Sequence, residues 1–238
     1  GFYFGQLILL TGRRGEGKST FMGQLMAEAL DQGYSALAYS GELPDYHFRR
    51  WIDLQLAGPD HIVESRNMFD EPVYSLAPGV SERIGLWYQD RAYLYDNNAV
   101  DGEELESLTE TIEHTIRRYG VKFICIDNLM TAMDVEVKED LYRAQSAFVK
   151  KLKQIAVRHD VVILLVAHPK KTREQLENDD VSGSSDITNR ADVVLTYSSN
   201  ADKHEDNPED CDSKLSVLKN RLTGRITRKG QELSLIHI

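Results

Sequence analysis

The chain has 238 residues, 41% hydrophobic and 28% charged, with 28 Lys and Arg against 38 Asp and Glu for a formal net charge of −10. Those values fit one soluble domain of substantial size and exclude a disordered chain, a collagen-like chain and a disulfide scaffold. No uncharged run approaches the roughly 18 apolar residues that span a bilayer, and the acidic balance argues against a generic basic nucleic-acid binder, though a local groove of clustered Lys and Arg could still hold DNA.

Along the chain, Gln6–Thr11 is a short apolar run suited to a buried parallel strand. Phe21, Met22, Leu25, Met26 and Ala29 recur at helical spacing and predict a helix from Lys18 to Leu30, ending near Gly33. Tyr34–Ser40 is the next strand, and Pro44–Leu56 reads as a helix. Residues 58–90 have weak periodicity, punctuated by Pro59, Pro72, Pro78 and Gly79. Arg91–Tyr95 reads as a strand, and Asp101 can cap a helix whose inner face is Leu105, Leu108, Ile112 and Ile116. A buried strand at Val121–Ile126 is followed by a helix from about Glu139, with Leu141, Ala144, Phe148, Leu152 and Ile155 inward. Val161–Val166 is the most apolar strand. Residues 168–190 are polar and read as a loop, Val193–Tyr197 and Leu215–Leu218 as strands, and 199–213 as an acidic, mobile connection. Strands alternating with helices predict an α/β domain around a mainly parallel twisted sheet flanked by helices.

Cys125 and Cys211 are the only cysteines, and neither has a metal-ligand neighbour, which points to a reducing, cytosol-like compartment. Cys125 itself reads as a small buried apolar residue. Gly1 stands directly before a strand with no initiator Met or signal peptide, as expected for a piece of a longer chain. Leu233–Ile238 coincides with one reading frame of a widely used transposon-based sequencing adapter. The expected unit is therefore 1–232, with 233–238 an artefact; the alternative is a final short strand.

Gly12-Arg-Arg-Gly-Glu-Gly-Lys-Ser19 fits the P-loop pattern G-x-x-x-x-G-K-[ST], between a predicted strand and a predicted helix. Gly12, Gly15 and Gly17 let backbone N–H groups face the phosphates, and the helix N-terminus adds partial positive charge. Lys18 is expected on the β/γ-phosphates, the Ser19 hydroxyl on Mg²⁺, and Thr20 beside them in the nucleotide site. Arg13 and Arg14 either aid phosphate or partner binding or form a solvated loop. Asp127 ends the apolar strand Phe123–Asp127 and would accept from a Mg²⁺-bound water or from Ser19; otherwise it caps the next segment. Asn128 stands where some NTPases carry a Glu, so Glu42, at the end of the second strand, is the candidate to orient water, unless it simply opens the helix at Pro44. His168 either contacts a γ-phosphate or is an ordinary strand-end His. Lys170, Lys171 and Arg173 could contact a nucleic-acid backbone or form a solvated basic patch.

These segments, in order, resemble the RecA-like motor domain of hexameric replicative helicases of the DnaB/Twinkle type, including the phage primase–helicases. They are GRRGEGKS at 12–19, SGE at 40–42, ICIDNL at 124–129, VAHPKK at 166–171, the GSS…AD run from Gly183 to Asp192, and Lys219-Asn-Arg221 with Thr223-Gly224. His168, where bacterial DnaB proteins commonly have Gln, leans toward the Twinkle and phage branch. The resemblance implies a RecA-like P-loop NTPase fold, and that Glu42 polarises water while His168 links the γ-phosphate to a DNA loop. It implies that Lys170, Lys171 and the backbone near Gly183 and Ser184 lie near single-stranded DNA in a ring's channel. It also implies that Lys219 and Arg221 reach the neighbouring subunit's active site. The implied whole is an ATP- or NTP-hydrolysing, Mg²⁺-dependent DNA helicase acting as a homo-hexamer or heptamer, with an upstream primase-like region and a linking helix. Its expected setting is the cytoplasm of a bacterial or phage-infected cell, with a mitochondrial one left open. Competing expectations are a RecA/RadA-like recombinase, against which the K-x-R element argues, and a KaiC-like regulatory ATPase acting without DNA.

Overall fold

Strands buried at every position belong in a sheet covered on both faces, and the computed structural model places four such strands side by side in the sheet. It describes residues 1–96, 107–133, 141–168, 185–199, 213–227 and 233–234. In chain order the first elements are β1 (Leu7–Thr11), α1 (Lys18–Asp31), β2 (Ala36–Ser40), α2 (Asp45–Ala57), β3 (Ile62–Arg66), β4 (Pro72–Leu76), α3 (Val80–Tyr88) and β5 (Ala92–Leu94). Then follow α4 (Leu108–Tyr119), β6 (Phe123–Asp127), α5 (Leu141–His159), β7 (Val162–Ala167), α6 (Ser185–Arg190), β8 (Val193–Ser199), β9 (Ser213–Asn220) and β10 (Leu233–Ser234).

The main sheet has the order β10-β9-β8-β1-β7-β6-β2-β5. All pairings from β8 through β5 are parallel. β9 runs antiparallel to β8, and β10 to β9. This is the mainly parallel sheet flanked by helices of a RecA-like P-loop NTPase fold. Successive residues of the central strands face opposite layers. Leu7, Leu9, Ile124, Ile126, Ile163 and Leu165 pack with Ile112 and Ile116 of α4 and Leu152 and Ile155 of α5. Ile8, Leu10, Cys125, Leu164 and Val166 pack with Phe21, Met22 and Met26 of α1 and Phe48 and Ile52 of α2. Each fully buried aliphatic side chain contributes about 1.5–3 kcal/mol of transfer free energy, so this two-layer core is what holds the strand ends in register.

Four local expectations need correction. The cap of α4 is Ser107, in a capping box whose Glu110 Oε2 accepts from Ser107 N–H at 2.9 Å; Asp101 and Leu105 lie outside the described residues. The buried face of α5 is Gln145, Val149, Leu152, Ile155 and Ala156, with Ala144 and Phe148 half-buried at its rim. Residues 58–90 contain a 3-10 turn (Pro59–His61), the antiparallel hairpin β3–β4 and α3. Neither hairpin strand has a buried residue, so no hydrophobic alternation marks them. Within the expected 168–190 loop, α6 forms at Ser185–Arg190; at six residues it is too short to display a helical period. Most of the acidic 199–213 connection lies outside the described residues. Among the described residues no helix is long and apolar enough to cross a membrane.

Candidate nucleotide site

The P-loop leaves the carboxyl end of β1 and runs into α1. Gly12 is obligatory: its φ is +155°, and a Cβ there would lie 2.0 Å from the Tyr197 carbonyl oxygen of β8. Gly17, at φ +88°, is the N-cap of α1 and supplies no side-chain cap, which suits a helix N-terminus that binds an anion. Arg13 N–H donates to Glu16 Oε2 at 2.8 Å across the turn. Tyr197 stacks on Phe21 with centroids 5.0 Å apart and planes at 12°, bracing the first turn of α1 against β8. Lys18 is buried, and its Nζ donates to the Arg13 carbonyl at 2.5 Å. Burial holds its pKa below the ordinary lysine value, against the opposing fields of Glu16, Asp127 and Glu42.

The strand order decides what faces this loop. β7 lies between β1 and β6, and β2 lies beyond β6. Because these four strands are parallel, with Thr11 opposite Ala167 and Ser40 opposite Asp127, their carboxyl ends open on one edge. The P-loop, His168, Asp127 and Glu42 therefore meet at a cleft of about 560 Å³, which Arg14, Gly15, Thr20 and Trp51 also line. Ser19 Oγ donates to Asp127 Oδ2 at 2.5 Å, the second of the two roles open to that carboxylate. Burial pushes the Asp127 carboxyl above the usual range; the Ser19 hydrogen bond opposes this. Glu42 is joined to both remaining strand ends: Asn128 Nδ2 donates to its Oε1 at 2.5 Å, and His168 Nε2 lies 3.4 Å from the same oxygen.

Asn128 is the group that sequence reasoning noticed only for not being Glu. Gly41 also gains a reason. A Cβ there would lie 2.2 Å from Thr131 Oγ1, so the SGE and DNL segments interlock, and only glycine lets the two loops approach. No sequence signal links residues that far apart. Trp51, 40% exposed on α2, completes the mouth and was not anticipated. Cys125 is buried, and burial raises its thiol pKa far above the ordinary value.

Lys219 and Arg221 lie at the other end of the sheet. Asn220 pairs with Val193, which pairs with Ile8, whereas the P-loop starts beyond Thr11, roughly 10 Å further along at about 3.3 Å per residue. Lys219 Nζ donates to the Thr188 and Asn189 carbonyls at 2.7 and 3.2 Å, at the carboxyl end of α6. Burial, then the Arg221 charge, lowers its pKa. Arg221 Nη2 donates to the Asn189 carbonyl at 2.5 Å, and its Nη1 stands 3.7 Å from Asp192 Oδ1. Lys170, Lys171, Arg173, Gly183 and Ser184 lie outside the described residues.

Ser19 and Asp127 offer the hard oxygen donors that Mg²⁺ takes. Among the described residues no group of three His, Cys, Asp or Glu could hold a metal unaided, so the arrangement fits an ion completed by nucleotide phosphates and water.

A family model described as an AAA domain matches residues 3–174. Among solved structures, one described as an ATPase domain is similar at 16% identity and a TM-score of 0.69, covering 95% of this chain and 80% of that one. A DnaB-like replicative helicase, described with its interactions with primase, matches at 15% identity and a TM-score of 0.71. That match covers 95% of this chain and 54% of the helicase, so the chain spans about half its length.

Proposed function

The chain belongs to the AAA domain family, and we propose that it is the motor domain of a DnaB/Twinkle-type replicative DNA helicase, hydrolysing ATP or another NTP while translocating on single-stranded DNA as a homo-hexameric or heptameric ring. The observation that carries the proposal is the meeting of Lys18, Ser19, Asp127, Glu42 and His168 at one cleft from four adjacent strand ends. In this mechanism Lys18 and the P-loop amides bind the β/γ-phosphates. Ser19 and Asp127 would hold Mg²⁺, which when bound supplies positive charge to the phosphate oxygens. Glu42 orients the attacking water, and His168, next to both, senses the γ-phosphate. Arg221, at the edge of the sheet away from its own P-loop, serves a neighbour's nucleotide, where a guanidinium offsets transition-state charge. Lys219, on β9 and bonded to the end of α6, accompanies it. Lys170, Lys171, Arg173 and the backbone at Gly183 and Ser184 contact the DNA. Such a protein would work in the cytoplasm of a bacterial or phage-infected cell.

The test is hydrolysis by the full-length protein with and without single-stranded oligonucleotide, alongside unwinding of a forked duplex. DNA-stimulated hydrolysis with unwinding is expected. Hydrolysis indifferent to DNA would favour a regulatory ATPase, and strand exchange without unwinding a recombinase.

A further inference from the structure

Asn128 follows Asp127 directly and is 2% exposed. One end of its side chain is anchored: Oδ1 accepts from the backbone N–H groups of Met130 at 2.9 Å and Thr131 at 3.2 Å. Two donors on that atom leave the amide one orientation, since a flip would turn its NH₂ against them. The anchoring turn is itself braced. Thr131 Oγ1 accepts from Asn128 N–H and donates to the Asn128 carbonyl, both at 3.1 Å, and Tyr39 OH donates to the Thr131 carbonyl at 2.7 Å. Gly41 N–H donates to the Asp127 carbonyl at 2.7 Å, tying the strand end that carries Glu42 to the same turn.

Nδ2 is thereby aimed at two groups, Glu42 Oε1 at 2.5 Å and His168 Nε2 at 3.3 Å. It donates to Glu42 and touches His168. His168 Nε2 also lies 3.4 Å from Glu42 Oε1, so amide, carboxylate and imidazole form one cluster, and the buried Nδ1 has no hydrogen-bond partner among the described residues. Glu42 by contrast is half exposed, at 50% of its side-chain surface, and a surface carboxylate on three rotatable bonds has no fixed aim of its own. A charge-assisted hydrogen bond from a buried, immobile amide supplies that aim, leaving Oε2 to take the proton of a water.

We propose that Asn128 is a positioning residue for hydrolysis: its backbone-locked amide holds the Glu42 carboxylate and couples it to His168. This rests on the assignment of Glu42 as the water-orienting group. Asn128 touches neither water nor phosphate in this scheme, so its effect on the water step passes through Glu42.

The experiment is a double-mutant cycle on the full-length protein, reading kcat, KM for MgATP and ATP affinity for Glu42→Gln, Asn128→Asp and the two combined. Asn128→Asp keeps an oxygen for the Met130 and Thr131 N–H groups but replaces the donor with a negative charge beside Glu42. Asn128→Ala serves as a second variant should the added charge disturb folding. Loss of aim at a reacting group costs roughly 10²-fold in rate, so Asn128→Asp should lower kcat by about that factor with KM and affinity within about threefold. In the Glu42→Gln background the same change should cost less than about threefold, because there is no carboxylate left to aim. Equal losses in both backgrounds, or loss of nucleotide affinity instead of kcat, would overturn the positioning role while leaving Glu42 in place. Unchanged turnover in Glu42→Gln alone would overturn the assignment of Glu42, and the role of Asn128 with it.

Discussion

The two ends of the sheet handle their polar groups in opposite ways. At the carboxyl ends of β1, β7, β6 and β2, Lys18, Asp127, Glu42 and His168 line an open cleft. At the other end Asp192 is nearly saturated by the fold: Oδ2 accepts from Leu7 N–H at 2.8 Å and Lys153 Nζ at 2.6 Å, and Oδ1 faces Arg221. One end leaves its charges facing a cleft, while the other uses them to fasten β1, α5 and β9 to the residue that leads into β8. Arg221 belongs to both descriptions, because it is bonded within the subunit yet 53% exposed.

The sharpest way to break the contrast is Lys18→Ala, which should abolish nucleotide-dependent activity while thermal unfolding stays within a few degrees of the native chain. The loop is shaped by backbone, and Lys18 is its buried side-chain cation. Equal hydrolysis by mutant and native protein would remove the P-loop from the mechanism. Arg221→Ala comes next. In rings formed by the full-length protein it should bind nucleotide normally and hydrolyse about 10³–10⁵ more slowly, the range seen for arginine fingers. Mixing it with Lys18→Ala protein should restore activity at interfaces that pair an intact P-loop with an intact finger. Failure to recover in confirmed mixed rings would assign Arg221 to its own subunit's Asp192 alone.

Asp192→Ala probes the saturated end. It leaves the Lys153 ammonium and the Leu7 N–H without their shared acceptor, and breaking such a pair costs on the order of 3 kcal/mol. Urea unfolding should show that loss with nucleotide affinity unchanged per folded molecule; a stable variant with weakened affinity would place Asp192 in the nucleotide machinery. The smallest effect is expected from neutralising Lys170, Lys171 and Arg173 together. Single-stranded DNA binding should weaken, and the slope of log affinity against log salt should flatten by about 2, at roughly 0.7 per phosphate contact. The same slope with retained affinity would favour a switch that acts without DNA.

Contiguous features were legible along the chain. The P-loop residues are neighbours in sequence, and the apolar runs that become β1, β6 and β7 announce burial on both faces. The β3–β4 hairpin was not legible, because both of its faces meet solvent and no alternation is imposed on Ile62–Leu76. Asp101 has the residue type of a helix cap, but the Ser107-x-x-Glu110 spacing of a capping box marks the cap that α4 uses.

By itself the sequence determined a mainly parallel α/β domain with a phosphate loop, a strand-end carboxylate and a short set of further polar candidates, because each of these depends on residues within one turn or strand. Which candidates share a site was decided only by the tertiary structure. Asn128 reaches Glu42 across 86 positions and His168 across 40, and nothing in either segment encodes the other. Parallel pairing with β7 inserted between β1 and β6 brings them together, and the antiparallel turn of β9 carries Arg221 to the opposite edge. Strand order and register are collective results of packing two helical layers on one sheet, so the neighbours they create exist only once the whole core has formed.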